Sequence, residues 1–426
     1  MNRKTMGRIL LGLLVLLALL TAGAAEKASA EEARNIAAEC TYKVPKGSGW
    51  GTKALYDGSY DYCWESPKAW EPCVEVTLPE GETCSGVQIK WAFINKNWAV
   101  EVEQGGEWVK VDGYSSDIQN TWTPLDNVTK FRVIAYNRWE DVLKINELEV
   151  YSAGKRPESV QVWQPTVEKA DLLVVVAHPD DEFVFLGAVI PCYGAERGRS
   201  VLVCYITEST VGRRTELLDG LWAAGQRTYP LMGKFYDRYT MSMDVAYDKI
   251  GKNKVRSYMI EVFRKYKPEV VVTHDIHGEY GHGVHKVCAD IVINALEKSG
   301  NKRVDPETAK EYGTWEVPKC YIHLYEKDRI VFDWKAMTLD AFGGKTAYEV
   351  ADAGWQCHLS QVAAGKYEVY VDGPYDSQVF GLYRSKVGPD REHNDFFENL
   401  PEPEPTPDLR EPEDSDFLTV DEDEAL

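Results

Sequence analysis

The sequence predicts two modules: an all-β module over residues 38–152, then an α/β module over residues 170–400 built on a parallel sheet with helices on both faces. Three observations predict this. Residues 38–152 carry short apolar-alternating runs separated by Gly, Asn and Asp turns. From Leu172 onward, continuous apolar runs of strand length alternate with helix-length segments. The 426 residues also exceed what one core normally holds.

The first thirty residues read as a signal peptide. Arg3, Lys4 and Arg8 precede an apolar run from Ile9 to Leu20, and small residues follow in Ala22-Gly23-Ala24 and Ala28-Ser29-Ala30. The run falls short of the roughly 18–20 residues of a spanning helix, so no stable membrane span is expected after cleavage. A secreted or cell-surface chain can form disulfides. Cys40, Cys63, Cys73 and Cys84 lie close enough in sequence for one or two bridges, whereas Cys192, Cys204 and Cys288 sit in apolar contexts and read as buried thiols. A formal net charge of -20 repels polyphosphate and excludes nucleic acid as a partner. Half of that charge lies from Pro401 to Leu426, where eleven acids face one base, Arg410. This segment reads as an acidic, disordered tail.

In the β module, Val87-Gln88-Ile89-Lys90-Trp91 and Ala99-Val100-Glu101-Val102 alternate as half-buried strands do. Eight of the thirteen Trp fall here. Most should fill the core, and one or two should be exposed, where rings stack on sugars. Leu55-Tyr56-Asp57-Gly58-Ser59-Tyr60, Phe131-Arg132-Val133-Ile134 and Ile145-Asn146-Glu147-Leu148-Glu149-Val150-Tyr151 together resemble the discoidin-type, galactose-binding-like β-sandwich family. The resemblance implies glycan binding through loops at one end of the sandwich. It also implies a structural calcium (Ca2+) at Asp57 and Glu147.

Residues 153–169 are polar, contain Pro157 and Pro165, and read as a linker. Beyond them, Leu172–Val176, Val201–Ile206 and Val270–Thr273 read as strands buried on both faces. Helix-like segments follow each: to about Arg197, then Arg213–Gln226 and Lys254–Tyr266, then Gly283–Lys298. In such sheets the active site lies outside the carboxyl ends of the strands.

Two polar clusters stand at those ends. The first is Ala177-His178-Pro179-Asp180-Asp181-Glu182. Three carboxylates beside one imidazole repel one another unless a cation resolves the conflict. Helix capping accounts for one of those carboxylates, not three. The second cluster holds His274, His277, Glu279, Tyr280, His282 and His285, four of the chain's eight His within twelve residues. Two His and a carboxylate on a divalent metal describe an open, catalytic zinc site. A free carboxylate can take a proton from water, and a further His can stabilise an oxyanion.

Ala-His-Pro-Asp-Asp-Glu after a strand, with Tyr-Gly-His-x-x-His at a helix start, resembles the LmbE-like (PIG-L) family of zinc-dependent sugar de-N-acetylases; His358-Leu359-Ser360-Gln361 is similar to a further signature. The resemblance covers about Asp171 to Leu400 and implies a Rossmann-like fold. It implies one Zn2+ on His178, Asp181 and His285, with Asp180 as general base and His282 as oxyanion stabiliser or acid. Tyr280 matches a position near the reacting acetyl group, and Arg213 or Arg214 a substrate-contacting arginine; Glu279 is a further candidate for substrate binding. One departure stands out. Many members carry Pro and Asp between the paired His, and here these are Gly283 and Val284; either Asp275 or Glu279 orients His282 instead, or His282 is neutral and only donates a hydrogen bond. The function expected is removal of acetyl from an N-acetylglucosamine-type glycan or glycoconjugate. The alternatives are another zinc amidohydrolase acting on an N-acylated glycolipid or glycopeptide, and a glycan-binding adhesin with an inactive catalytic module.

Overall fold

The computed structural model describes residues 31–94, 97–112, 117–136 and 142–401. The expected signal peptide, Trp139 and the acidic tail beyond Pro401 lie outside the described residues. The chain divides into two compact units, Met1–Val162 and Trp163–Leu426.

The first unit is all-β apart from two short turns of 3-10 helix. Its strands are β1 (Thr41–Lys43), β2 (Trp64–Glu65), β3 (Cys73–Thr77), β4 (Cys84–Phe93), β5 (Trp98–Gln104), β6 (Glu107–Asp112), β7 (Asn120–Val128), β8 (Lys130–Ala135) and β9 (Lys144–Ser152). They form two antiparallel sheets, ordered β1-β3-β8-β5-β6 and β2-β9-β4-β7. Inward residues of both sheets share one core, which includes Val74, Val76, Ile89, Phe131, Val133 and Leu148. This is a β-sandwich. The tryptophans divide by role. Trp64, Trp91 and Trp98 are buried in that core, while Trp50 and Trp70 are 71% and 61% exposed.

The boundary between the units, at Val162/Trp163, falls within residues 153–169, and this stretch packs onto its neighbours. Val160 is buried beside Tyr151 and Ala33, and Gln161 accepts hydrogen bonds from Gln88 and Asn120; beyond the boundary, Gln164 bridges to Thr228 within the second unit. The apolar side chains scattered through this polar stretch gain more by burial than by solvation. One expectation fails: the cysteines do not pair, since all nine are free thiols. The Cys40 and Cys84 thiols donate instead to the carbonyls of Ile36 and Gly86, and burial pushes both up to about 12.

The second unit is α/β. Its principal elements are β10 (Leu172–Val176), α1 (Asp181–Val184), β11 (Val201–Tyr205), α2 (Val211–Ala223), α3 (Met243–Ile250), α4 (Lys252–Tyr266), β12 (Val270–Thr273), α5 (Gly283–Lys298), β13 (Lys319–His323), β14 (Arg329–Val331), β15 (Thr338–Leu339), β16 (Lys345–Thr346), α6 (Ala347–Gln356) and β17 (Val379–Ser385). Every residue of β10, β11 and β12 is buried. Leu173, Val175, Leu202, Cys204 and Val271 face α3, α4 and α5 in one core, and the alternate residues Leu172, Val174, Val203 and Val272 are buried on the opposite face. Burying each such side chain contributes about 1.5–3 kcal/mol.

The sheet order is β11-β10-β12-β13-β17-β14. The first four strands are parallel, but β17 runs antiparallel to both β13 and β14. The sheet is therefore mixed, which corrects the expectation of a wholly parallel one. The cause is the path of the chain after α6. Gln361 and Tyr367 line a cavity at the carboxyl ends of the strands, so the chain enters β17 at that end and must run back down. The connection after β10 leads to β11 on one side, and the next returns to β12 on the other. The order therefore reverses between β10 and β12, where ligands bind in open α/β sheets.

Candidate active site

Both polar clusters leave the sheet at this switch point. The first follows β10, in a turn where Asp180 adopts φ 115°. An L-residue rarely adopts such a conformation, and it costs about 1–3 kcal/mol. The backbone N–H of Asp180 donates to Glu182 at 2.8 Å, and Glu182 in turn pairs with buried His358 at 3.1 Å. The turn sends Asp180 and Asp181 in different directions. Asp181 Oδ2 lies 3.0 Å from His178 Nδ1 and accepts from the His178 N–H at 2.7 Å; its Oδ1 lies 3.4 Å from His285 Nε2. Asp180 Oδ2 accepts from Arg213, in the first turn of α2, at 2.9 Å. The same guanidinium donates to the Pro179 carbonyl.

The second cluster follows β12. Gly278 and Gly281 take φ 73° and 98°, and the His282 N–H bonds back to the Gly278 carbonyl at 2.9 Å. A side chain at Gly278 would put its Cβ 2.4 Å from the His282 carbonyl oxygen. This tight turn folds Glu279 underneath the site. Its side chain is 0% exposed and lies 3.0 Å from His274 Nδ1, 2.7 Å from His285 Nδ1 and 3.0 Å from His323 Nδ1. The substrate-binding expectation for Glu279 is thus corrected: it sits behind the imidazoles, away from any ligand.

The electrostatics sort the groups. Burial works against charge on Asp181, but His285, His178 and His274 outweigh it and hold the carboxylate well below its usual range. Asp180 goes the other way: burial and the charge of Asp181 push it up to about 7, against the pull of Arg213. Burial and the neighbouring His285 and His178 push His282 down to about 3. His282 is therefore neutral near pH 7, which favours its reading as a hydrogen-bond donor over a cationic acid.

A metal fits this set. His285 Nε2 is buried and makes no hydrogen bond, although its other nitrogen is tied to Glu279. One donor atom each from His178, His282 and His285, or from Asp181, His274 and His285, falls within 4.8 Å of the others. His274 is already used, because its Nε2 accepts from the Ala177 N–H at 3.1 Å. The groups gathered around the orphaned nitrogen are thus His178, Asp181, His282 and His285; of these, the resemblance assigns the ion to His178, Asp181 and His285.

His178, Asp180, Asp181 and His282 open onto a cavity of about 130 Å³, also lined by Val184, Phe185, Arg213, Tyr239 and Tyr280. Arg214 is not among its lining residues. Asp57 and Glu147 lie in the sandwich and both approach the Gly58 turn. Glu147 accepts from the Gly58 N–H at 2.7 Å, and both Asp57 oxygens are engaged, by the Ser59 N–H and the Tyr62 hydroxyl.

Sequence reasoning missed Asp237 and Tyr239. Asp237 lies 3.3 Å from His178 Nε2, and the Tyr239 ring lies 5.2 Å from that of His282. Both come from an irregular segment before α3, which carries no periodic signal. One signal was present: the departure at Gly283. Its N–H donates to the Thr240 carbonyl at 2.6 Å, and a Cβ there would meet the Ser242 carbonyl oxygen at 2.6 Å. Glycine between the paired His lets this segment lie over the start of α5, which brings Asp237 and Tyr239 to the site. Neither Asp275 nor Glu279 bonds His282, whose Nδ1 is buried without a partner.

Residues 173–296 match the family described as PIG-L: GlcNAc-PI de-N-acetylase. Over 180 residues the chain is 28% identical to the 1D-myo-inositol 2-acetamido-2-deoxy-alpha-D-glucopyranoside deacetylase 1 of Catenulispora acidiphila, covering 35% of this chain and 54% of that one. The chain therefore spans about half the length of that curated relative. Among solved structures, the N,N'-diacetylchitobiose deacetylase of Pyrococcus horikoshii is 18% identical, with a TM-score of 0.34, covering 45% of this chain and 71% of that chain. An F5/8 type C domain from Bacteroides fragilis is 15% identical, with a TM-score of 0.24, covering 29% and 97%.

Proposed function

We propose that this chain is a secreted, zinc-dependent hydrolase that removes the N-acetyl group from an N-acetylglucosamine-type sugar, with its β-sandwich holding the enzyme on a glycan. The observation that carries this reading is the unpartnered, buried Nε2 of His285 facing Asp181, beside a second carboxylate that opens into the cavity. The names of the family and of the curated relative support the same chemistry.

His178, Asp181 and His285 would hold the zinc. Zinc held there supplies Lewis acidity, polarising the acetamide carbonyl and acidifying water. Asp180 takes the proton from the attacking water and returns it to the departing amine; a pKa near 7 suits both transfers. Arg213 fixes one Asp180 oxygen and leaves the other to work. Neutral His282 donates toward the oxygen on which charge develops. Val184, Phe185 and Tyr280 supply the apolar walls that an acetyl methyl needs. The cavity is smaller than the roughly 300–1,000 Å³ typical of ligand pockets, so most of the sugar lies outside it, against Tyr239, which is 70% exposed at the rim.

Export rests on the N-terminal segment, and glycan targeting on exposed Trp50, stacked on Tyr62 at 4.8 Å. Among the described residues no helix is long and apolar enough to cross a membrane. The test is acetate release from a panel of N-acetylglucosamine-containing oligosaccharides and glycoconjugates, with zinc and with chelator. Chelator-sensitive release supports the proposal. If zinc-loaded protein releases no acetate from any of them, the N-acetylglucosamine assignment fails.

A further inference from the structure

We propose that Glu279 is a positioning residue for the metal: it fixes the tautomer of His285 so that the Nε2 lone pair, and not an N–H, faces the zinc position. The inference rests on the zinc reading above but concerns affinity for the ion, not the reaction.

A carboxylate only accepts. Glu279 Oε2 lies 2.7 Å from His285 Nδ1, so that nitrogen carries the hydrogen and Nε2 is left bare. No hydrogen bond at Nε2 opposes this assignment, although Asp181 Oδ1 lies 3.4 Å away. The other oxygen, Oε1, is held by two donors and stands against a third imidazole. It accepts from the Asp275 N–H at 3.0 Å and stands 3.0 Å from both His274 Nδ1 and His323 Nδ1. His274 must also present a hydrogen to it, since its Nε2 already accepts from the Ala177 N–H. His323 is anchored at its far nitrogen, which donates to the Asp376 carbonyl at 3.0 Å. One carboxylate thus joins the ends of β12 and β13 to the start of α5 and is clamped before any ion arrives. Carboxylate partners of metal-bound imidazoles raise ligand basicity and fix ring orientation, and losing one costs about 10–100-fold in metal affinity.

The test measures zinc affinity of the whole chain by competition with a chromophoric chelator, alongside thermal melting of the metal-free protein. Glu279→Gln presents one acceptor and one N–H₂ to the N–H groups of His285, His274 and Asp275, so it should bind zinc about 10–100-fold more weakly. Glu279→Asp keeps the charge on a shorter stem and should recover part of the loss; if Glu279→Gln does not fold, this variant decides. His323→Asn removes an equally buried partner that does not touch His285, and should bind zinc within about threefold of the parent. The proposal is overturned if Glu279→Gln, or in its place Glu279→Asp, binds zinc as tightly as the parent. It is also overturned if His323→Asn loses as much affinity as the Glu279 variants, for then Glu279 only supports packing. A parent chain that takes up no zinc overturns the metal reading itself, a distinct outcome.

Discussion

Glu147 in the sandwich and Glu279 in the α/β unit are both carboxylates withdrawn from water, and they end in opposite states. Around Glu147, burial outweighs the Gly58 N–H, and with the charge of Asp57 it pushes the group up to about 7. Around Glu279, burial is more complete, yet His274 and His285 hold the carboxylate well below its usual range. Seclusion alone neutralises an acid, and imidazoles packed against it restore the charge. Asp180 stands between the two. It is buried and raised like Glu147, but it opens onto a cavity where a proton can be exchanged.

The largest expected effect probes that intermediate state. Asp180→Asn keeps the shape and the contact with Arg213 but accepts no proton. It should retain zinc while turnover falls by roughly 10²–10⁴-fold, whereas Asp181→Ala should lose the metal; elemental analysis beside acetate release separates them. Zinc lost from Asp180→Asn and kept by Asp181→Ala would reverse the two roles.

The same contrast predicts the pH profile. A base must be unprotonated, so kcat/KM should fall about tenfold per pH unit on the acid side of the Asp180 pKa. That limb should lie at or below about 7, since a bound cation pulls the group lower. Asp180→Asn should abolish the limb in its residual activity. A limb that survives this substitution belongs to another group.

In the sandwich the effect is on stability. The folded pKa of Glu147, about 7, lies above its ordinary 4.5, so its contribution is fully present below about 4.5 and is lost as pH rises through 7. Glu147→Gln still accepts from Gly58 but does not titrate. It should gain on the parent between pH 5 and pH 8, by up to about 3 kcal/mol in denaturant melts. If Asp57 and Glu147 hold calcium, adding that ion at pH 8 should stabilise the parent and not the variant. A pH-independent difference would put Glu147 in the same class as Glu279.

The smallest expected effect lies at the cavity rim. Tyr239→Ala removes roughly 1 kcal/mol of ring contact and should raise KM for an oligosaccharide about fivefold, with zinc content and kcat little changed. A fall in kcat instead would mean that Tyr239 acts through His282.

Strands β10 and β12 were legible in the sequence because a strand buried on both faces must be apolar throughout. The clusters after them were legible because like charges at a strand end demand an explanation. Several features were not. Asp237 and Tyr239 come from an irregular segment, and which loop residues reach a site depends on tertiary packing. The role of Glu279 was misjudged because sequence neighbours do not reveal which way a tight turn points a side chain. The antiparallel entry of β17 depends on a long excursion around the cavity that leaves no periodic trace. The expected disulfides failed because proximity in sequence says nothing about where a thiol points.

The backbone of Asp180 carries a consequence for anyone engineering this chain. Its φ of 115° suits glycine better than any other residue. Asp180→Gly should relieve the distortion and melt higher while losing nearly all catalysis. Selection for heat tolerance alone would therefore favour inert variants at this position, and a screen must score thermal robustness and acetate release together to avoid enriching them.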